Sequence, residues 1–169
     1  MRESSSKNPS LASKDTDSQS AKTAGLCEIR EASRLDLWKF IDLDEDNTEF
    51  PKPAYLEQLF QRFGKQDQGR YFLIAEDGEE FLGFVIGEIR AWEFGSSPCG
   101  WIFALCVHPD MRTRGIGTCL FEAICARFRE EGVRKVRTML ARSDYLKMSF
   151  FRSQGLRGGP FIQFEKGLE

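Results

Sequence analysis

The alternation of apolar and polar residues predicts one strand and two helices in the first part of the folded region. Leu26–Arg30 alternates with the period of two that is typical of a half-buried strand. Ser33 then stands where it can cap a helix whose apolar residues recur on one face. A second amphipathic helix is predicted over Pro53–Phe63, because proline suits a first helical turn and Gly64 suits a helix end.

Three strands and a long helix are predicted next. Tyr71–Ala75 and Phe81–Trp92 flank a short glycine-containing turn and therefore indicate a hairpin. Because Phe81–Trp92 is apolar on both faces, we expect it to be a central strand. Gly100–Val107 has the composition of a third buried strand. From Ile116 onward apolar residues recur every four positions, which predicts a helix that ends at Gly132.

The last part of the chain predicts a strand, a helix and a final strand. The strand is expected over Val133–Leu140, and the helix over Asp144–Gln154 with Leu146 and Phe150 facing inward and Phe151 as a further candidate for that face. The final strand is expected over Phe161–Glu165. The predicted order is therefore β-α-α-β-β-β-α-β-α-β. It indicates the α/β (α+β) class, with antiparallel pairs first, then a crossover helix, and helices flanking a mixed sheet.

The first residues differ from the rest in composition. Residues 1–24 are rich in serine and almost free of large apolar side chains, which is typical of a disordered tail. We therefore expect a tail over residues 1–24 and one folded domain over residues 25–169.

Composition and charge exclude several classes of function. The 24 Lys and Arg residues nearly balance the 26 Asp and Glu residues, which disfavours a nucleic-acid partner. No apolar run approaches the roughly 20 residues that a membrane helix needs, and the N-terminus lacks the apolar core of a signal peptide. The five cysteines form no C-x-x-C pair and there is one histidine, so no metal site is expected. These features predict a cytoplasmic protein with reduced thiols.

The strongest chemical signal is a glycine-containing turn between the third strand of the hairpin region and the long helix. This glycine turn consists of Arg112, Thr113, Arg114, Gly115, Ile116, Gly117 and Thr118. Two glycines where a strand passes into a helix leave backbone N–H groups bare at the positive helix terminus, which favours phosphate binding. A Walker loop is excluded because no lysine precedes a Ser or Thr here. A dinucleotide fingerprint is excluded because Leu120 stands where its third glycine is required.

The whole context resembles the GNAT acetyltransferase superfamily. The resemblance covers about Leu26 to Glu169 and is most specific over Leu105–Pro109 and over the glycine turn. A weaker signature lies in Ser149–Leu156, where an aromatic pair precedes Gly-Leu. The resemblance implies that acetyl-coenzyme A (acetyl-CoA) binds where the fourth and fifth strands splay apart.

The resemblance also implies which residues contact the donor. Leu105 and Val107 would offer backbone groups to the pantetheine arm, with Cys106 between them. The N–H groups from Arg112 to Thr118 would surround the pyrophosphate. Asp144 and Phe151 also fall at positions that contact coenzyme A in family members. All twelve positions are therefore expected in the cofactor site: Leu105, Cys106, Val107, Arg112, Thr113, Arg114, Gly115, Ile116, Gly117, Thr118, Asp144 and Phe151.

Three positions depart from better-known members of the family. Trp101 stands where some members have a catalytic glutamate, and Phe151 where many have a tyrosine that protonates the leaving thiolate. Asp144 replaces an asparagine that contacts coenzyme A in several members. The general acid and base are therefore not provided at the usual positions.

Substitute catalytic residues can be named. Glu88 shares a strand face with Phe84 and Ile86 and is a candidate base acting through water, although a salt bridge with Arg90 is an equal alternative. Tyr145 is a candidate proton donor that could instead be a surface aromatic residue. His108 and Cys106 are interpreted as a turn residue and a buried thiol rather than as catalytic groups.

The leading functional hypothesis is an N-acetyltransferase that moves an acetyl group from acetyl-CoA to a primary amine. The alternative is a non-catalytic acyl-CoA-binding or regulatory module on the same scaffold. The expected partners are acetyl-CoA and an amine acceptor, with no nucleic acid and no membrane, and the resemblance leaves room for a homodimer. An acidic run could attract the cationic amine: Asp42, Asp44, Glu45, Asp46 and Glu49.

Overall fold

The computed structural model describes residues 27–47, 52–64, 69–92 and 95–168. The predicted tail over residues 1–24 and the start of the folded domain lie outside these ranges. The described residues form one five-stranded sheet with four α-helices. The strands are β1 (Glu28–Glu31), β2 (Arg70–Asp77), β3 (Glu80–Arg90), β4 (Cys99–Val107) and β5 (Val136–Arg137). The helices are α1 (Leu37–Asn47), α2 (Pro53–Phe63), α3 (Ile116–Glu130) and α4 (Tyr145–Ser153).

The strands lie in the sheet in their order along the chain. β1 to β4 pair antiparallel, whereas β5 pairs parallel with β4 after the crossover through α3. The mixed, mostly antiparallel sheet flanked by helices is thus confirmed. No helix in the described ranges is long and apolar enough to cross a bilayer.

Two hydrophobic cores cover the two faces of the sheet. On one face the apolar residues that recur every four positions along α3 are buried, as the sequence predicted, and they pack with Phe121 and Val85. These residues are Ile116, Leu120, Ile124 and Phe128. On the other face α1 and α2 cover an aromatic cluster, in which the rings of Phe40 and Phe72 lie 4.4 Å apart. The sheet is therefore a two-sided scaffold, and β3 is central to it.

A bulge in β4 changes which side chains face α1 and α2. Ile86 pairs with Ala104 but Gly87 pairs with Ile102, so Phe103 is the extra residue. Phe103 and Ala104 consequently both pack on the core beneath α1 and α2, although they are consecutive. Cys106 lies on the same face, whereas Leu105 and Val107 pack towards α3.

The C-terminal part differs from the prediction in three respects. Phe161–Glu165 is not a strand, because β5 is confined to Val136–Arg137 and offers only a short edge for pairing. The predicted strand over Val133–Leu140 is reduced to those same two residues. Leu146 is 68% exposed, because Phe151 is buried and lies five positions later, about 140° away on a helix.

Candidate functional site

The sheet opens between β4 and β5. The two strands are paired only at Gly100 and Trp101, while β4 continues to Val107. Past Trp101 the side chains of β4, apart from buried Ile102, are partly exposed. An extended ligand can therefore lie along this edge beside Leu105 and Val107.

The glycine turn follows the open strand and begins α3. Gly115 caps the helix with a φ of +84°, a conformation that glycine adopts without strain. Thr113 also has a positive φ, +73°, which is uncommon for a residue with a side chain. The first helical bond is donated by the Cys119 N–H to the Gly115 carbonyl at 3.0 Å.

The N–H groups before that bond are available for a ligand. Within the described ranges, no protein acceptor is bonded by the backbone N–H groups from Thr113 to Thr118. Unbonded N–H groups at a helix N-terminus bind anions. The positive end of the helix dipole lies at the same place and favours phosphate. The turn thus fits the pyrophosphate that the sequence predicted for it.

The C-terminal half of α4, which carries Phe150, closes one side of the turn. A Cβ atom on Gly117 would lie 3.1 Å from Cε2 of Phe150 and 3.7 Å from Cγ2 of Val107. The Gln154 side-chain amide donates to Oγ1 of Thr118 at 3.1 Å. A side chain at Gly117 would therefore press on the Phe150 ring, which would have to shift by a few tenths of an ångström.

Phe151, which was predicted to contact coenzyme A, lies in the core instead of at the surface of the turn. It is 5% exposed, and its ring centroid is 6.1 Å from that of Phe121 and 5.1 Å from that of Phe150. The partly exposed member of the pair is Phe150. Sequence reasoning missed Phe150 and Gln154 as neighbours of the turn, since the aromatic pair alone does not reveal which ring faces it.

The Cys106 thiol is mostly buried and is influenced by three charged side chains. Burial raises the pKa of its thiol to about 11, and the opposing charges of Arg112, Asp44 and Lys147 contribute less. The thiol is therefore protonated at neutral pH, in agreement with the interpretation of a buried thiol rather than a nucleophile. These three charges belong to the glycine turn, α1 and α4 respectively.

Asp144 is the N-cap residue of α4. Its carboxylate accepts from the Lys147 backbone N–H at 3.1 Å and from Lys147 Nζ at 2.6 Å. These hydrogen bonds lower the pKa of Asp144. The carboxylate is thus ionised and partly neutralised by Lys147.

Tyr145 and His108 differ in exposure and in their contacts. Tyr145 is the first residue of α4 and is 76% exposed. His108 precedes the 3-10 turn Pro109–Met111, and its Nδ1 accepts from the Asp110 N–H at 3.4 Å. The histidine therefore has the turn role that the sequence favoured for it.

Glu88 is buried at the opposite end of β3 from the glycine turn. Gly83 pairs with Val107 beside the turn, whereas Glu88 pairs with Trp101. At about 3.3 Å per residue, Trp101 and Val107 are separated by roughly 20 Å along β4. The structure therefore brings together the turn, the end of β4 and α4, but not Glu88.

Both carboxylate oxygens of Glu88 are bonded to arginines. Arg90 Nε donates to Oε1 at 3.0 Å, and Arg62 Nη2 donates to Oε2 at 3.3 Å. The salt bridge with Arg90 that was weighed against a catalytic role is thus formed. Its second partner, Arg62, comes from α2, and no sequence signal connects residues so far apart in the chain.

Comparisons with known proteins agree with this geometry. The profile of the Acetyltransferase (GNAT) family matches residues 37–155. The aminoglycoside N-acetyltransferase AAC(6')-Iy, solved with CoA, is similar with a TM-score of 0.73 and 18% identity, covering 83% of this chain and 94% of its own.

Two further structures have the same fold. A transcriptional regulator from Bacillus halodurans C-125 has a TM-score of 0.68 at 20% identity, covering 84% of this chain and 99% of its own. An aminoglycoside acetyltransferase from an uncultured soil metagenomic sample was solved in complex with sisomicin. It has a TM-score of 0.64 at 21% identity, covering 86% of this chain and 99% of its own. No curated protein is matched in sequence.

The family match covers most of the chain, from the start of α1 to just past the end of α4, and includes β4 and the glycine turn. It confirms the resemblance on which the acetyltransferase hypothesis was based. The chain belongs to the GNAT family of acetyltransferases.

Proposed function

We propose that the protein transfers an acetyl group from acetyl-CoA to a primary amine. The observation that carries the proposal is the row of unbonded N–H groups from Thr113 to Thr118, placed directly after the open edge of β4. Pyrophosphate would bind to these groups, and the pantetheine arm would extend along Leu105, Cys106 and Val107. Neighbours of this fold were solved with CoA, which supports the same donor here.

The reaction is a direct transfer. The neutral amine nitrogen attacks the thioester carbonyl carbon, a C–N bond forms, and the C–S bond breaks. The nitrogen loses one proton and the departing thiolate gains one, so the products are an amide and free CoA thiol. The enzyme contributes mainly by holding the two reactants together and by directing backbone dipoles at the developing oxyanion.

The proton-transfer groups remain proposals. Tyr145, the exposed first residue of α4, is the proposed donor to the thiolate. A basic role for Glu88 would require one of its two salt bridges to open. The other cofactor-site positions keep their proposed roles: Arg112 and Arg114 would add charge near the phosphates, while Asp144 and Phe151 would contribute through the placement of α4.

The distribution of charge supports an anionic donor and a cationic acceptor group. Residues 100–169 contain 12 Lys and Arg against 7 Asp and Glu, whereas residues 1–99 contain 12 against 19. Coenzyme A is polyanionic, so the basic half containing the glycine turn suits it. The acidic run that begins at Asp42 on α1 lies in the other half and suits an amine.

The alternative is a non-catalytic acyl-CoA-binding or regulatory module. A specific observation favours it, because Phe151 carries no hydroxyl and the nearest buried carboxylate along β3, Glu88, is already paired. One of the structural neighbours is described as a transcriptional regulator.

Release of CoA thiol distinguishes the two functions. The protein would be incubated with acetyl-CoA and a panel of amines, peptides and aminoglycosides, and free thiol would be measured with a chromogenic reagent. We expect thiol release that depends on at least one amine. Tight CoA binding by calorimetry without amine-dependent release would favour the module instead.

We also propose that the protein is a cytoplasmic homodimer. Free cysteines at all five positions suit a reducing compartment. Large apolar side chains of the C-terminal segment are exposed, which is typical of a surface that another chain covers: Phe161, Ile162, Phe164 and Leu168.

A further inference from the structure

A cluster of cations surrounds Glu88 at the end of β3. Arg90 and Arg62 each bond one of its carboxylate oxygens, and Arg70 is its cross-strand neighbour on β2. The Glu88 carboxylate is 8% exposed and is bonded to two guanidinium groups, those of Arg90 and Arg62. The cluster has an excess of positive charge although it lies in the acidic half of the chain.

The Arg90 guanidinium is fixed by two contacts, and its two terminal nitrogens remain available for a ligand. Its Nε donates to Glu88, and its guanidinium carbon lies 4.8 Å from the centroid of the Trp101 ring. Within the described ranges, neither terminal nitrogen of Arg90 is hydrogen-bonded to the protein. A planar guanidinium fixed in this way presents a fork of donors, which matches a carboxylate.

Arg62 adds a second cation at the same place. Its guanidinium lies 5.2 Å from the centroid of the Phe63 ring, and its side chain is 59% exposed. The Phe63 ring in turn packs on the bulge residue Phe103, with centroids 4.9 Å apart. The cluster is therefore connected to the part of β4 that lies on the α2 face.

The cluster lies on the opposite face of the sheet from α3 and at the other end of β4 from the glycine turn. A ligand there would not compete with the pyrophosphate. From Trp101 to the bulge residue Phe103 is two residues, or roughly 7 Å along the strand. A group bound by Arg90 and an amine at the open edge of β4 would thus be separated by several carbon atoms.

We propose that Arg90, supported by Arg62, binds a carboxylate of the acceptor, so that the acceptor is an amino acid-like molecule whose primary amine lies several carbons from its carboxylate. The inference rests on the proposed transfer to an amine and names the substrate class. Glu88 is then a positioning residue, since it fixes the guanidinium of Arg90 rather than touching the reacting atoms. Trp101 supports the same guanidinium through its ring.

A matched pair of acceptors tests the inference. 6-Aminohexanoate and 6-aminohexanamide have the same amine and length and differ only in the charge of the far end. With the wild-type protein and acetyl-CoA, we expect the acid to have a KM at least about ten-fold lower than the amide, because charge-assisted bidentate hydrogen bonds are strong.

The variant Arg90→Gln should raise KM for the acid roughly ten- to a hundred-fold, with kcat changed less than about two-fold, and leave the amide unaffected. Arg129→Gln is the control, because Arg129 is an exposed arginine on α3 away from this cluster. Equal kcat/KM for acid and amide in the wild type, or an equal loss for both in Arg90→Gln, would overturn the inference and identify the cluster as structural only.

Binding of the same two compounds to the CoA-loaded protein separates this inference from the proposed function. Saturation-transfer NMR should detect the acid but not the amide, and Arg90→Gln should abolish the signal. If the acid binds in this manner but no amine is acetylated, the transferase proposal fails and the carboxylate site stands. If CoA binds and the acid gives no Arg90-dependent signal, the carboxylate site is refuted.

Discussion

Gly117 stands at a position of the proposed donor site that has little room for a side chain. The sequence favoured it as a place where the backbone approaches pyrophosphate, and the structure adds that Phe150 occupies the space of its missing side chain. The same Cβ position lies 3.7 Å from Cγ2 of Val107, so the end of β4, the start of α3 and α4 meet at one glycine. A side chain at this position would press on the Phe150 ring.

Gly117→Val should weaken CoA binding by at least about ten-fold while the fold survives. The new methyl groups must displace the Phe150 ring, and overpacking of this kind costs roughly 1–3 kcal/mol of stability. Calorimetry with CoA and thermal unfolding measure the two effects. Gly158→Val is the matched control, because a Cβ there meets nothing within 4 Å. Unchanged CoA affinity in Gly117→Val would refute our placement of the donor.

At the scale of elements, one buried carboxylate fixes the start of α1 to the sheet. Asp36 lies in the short 3-10 turn Arg34–Asp36 and accepts two hydrogen bonds from the Arg30 guanidinium, both at 2.8 Å. Arg30 also donates to Glu76 of β2 at 2.8 Å and 2.9 Å. The Ser33 N–H and hydroxyl donate to the same Asp36 carboxylate. The position of α1, and of its acidic face, therefore depends on β1 and β2.

Asp36→Asn should destabilise the protein at neutral pH, and the loss of stability should become smaller as the pH falls. The hydrogen bonds from Arg30 hold the pKa of Asp36 far below its usual range. The stabilisation is therefore complete above the ordinary carboxyl pKa of about 4 and is lost progressively as the pH falls below it. We expect a loss of about 3 kcal/mol at pH 7, since the Asp36 side chain is 3% exposed and that of Arg30 is 34% exposed.

Urea unfolding at pH 7, 5 and 3 measures this effect. The difference in free energy of unfolding between wild type and Asp36→Asn should be large at pH 7 and 5 and smaller at pH 3. Asp42→Asn on the exposed side of α1 serves as the control and should change little. A difference that stays constant from pH 7 to pH 3 would contradict the assignment to the ionised pair.

At the scale of the whole molecule, the C-terminal segment over residues 157–168 exposes large apolar side chains to solvent. Residues 157–168 are exposed throughout, and the segment contacts the sheet through the Arg137 guanidinium, 4.5 Å from the centroid of the Phe161 ring. Its sequence predicts a strand, yet no strand pairs with it within the described ranges. A second copy of the chain would bury these side chains.

The double variant Ile162→Glu with Phe164→Glu should convert the proposed homodimer into a monomer. Both side chains are exposed, at 74% and 86%, so charge is introduced without disturbing the core. Light scattering coupled to size exclusion gives the mass. Gln163→Glu adds a charge to the polar residue between them and should leave the dimer intact. A monomeric mass for the wild-type protein at high micromolar concentration would exclude the dimer.

The sequence by itself determined the types and order of most elements and the place of the glycine turn. Amphipathic periodicity, Pro53 at the start of α2 and glycines at helix ends are local properties, so they do not depend on the rest of the fold. The stripe from Ile116 along α3 and the strand ending at Val107 were predicted for the same reason. The family resemblance came from these local features.

Only the tertiary structure decided which side chains meet. Phe150 rather than Phe151 faces the turn, because consecutive helical residues point about 100° apart and the packing against Phe121 fixes the rotation of α4. Glu88 is paired because α2 brings Arg62 over the sheet, a contact between residues distant in the chain. The strand predicted over Phe161–Glu165 does not form, because strand formation requires a partner edge that the sequence of the segment does not supply.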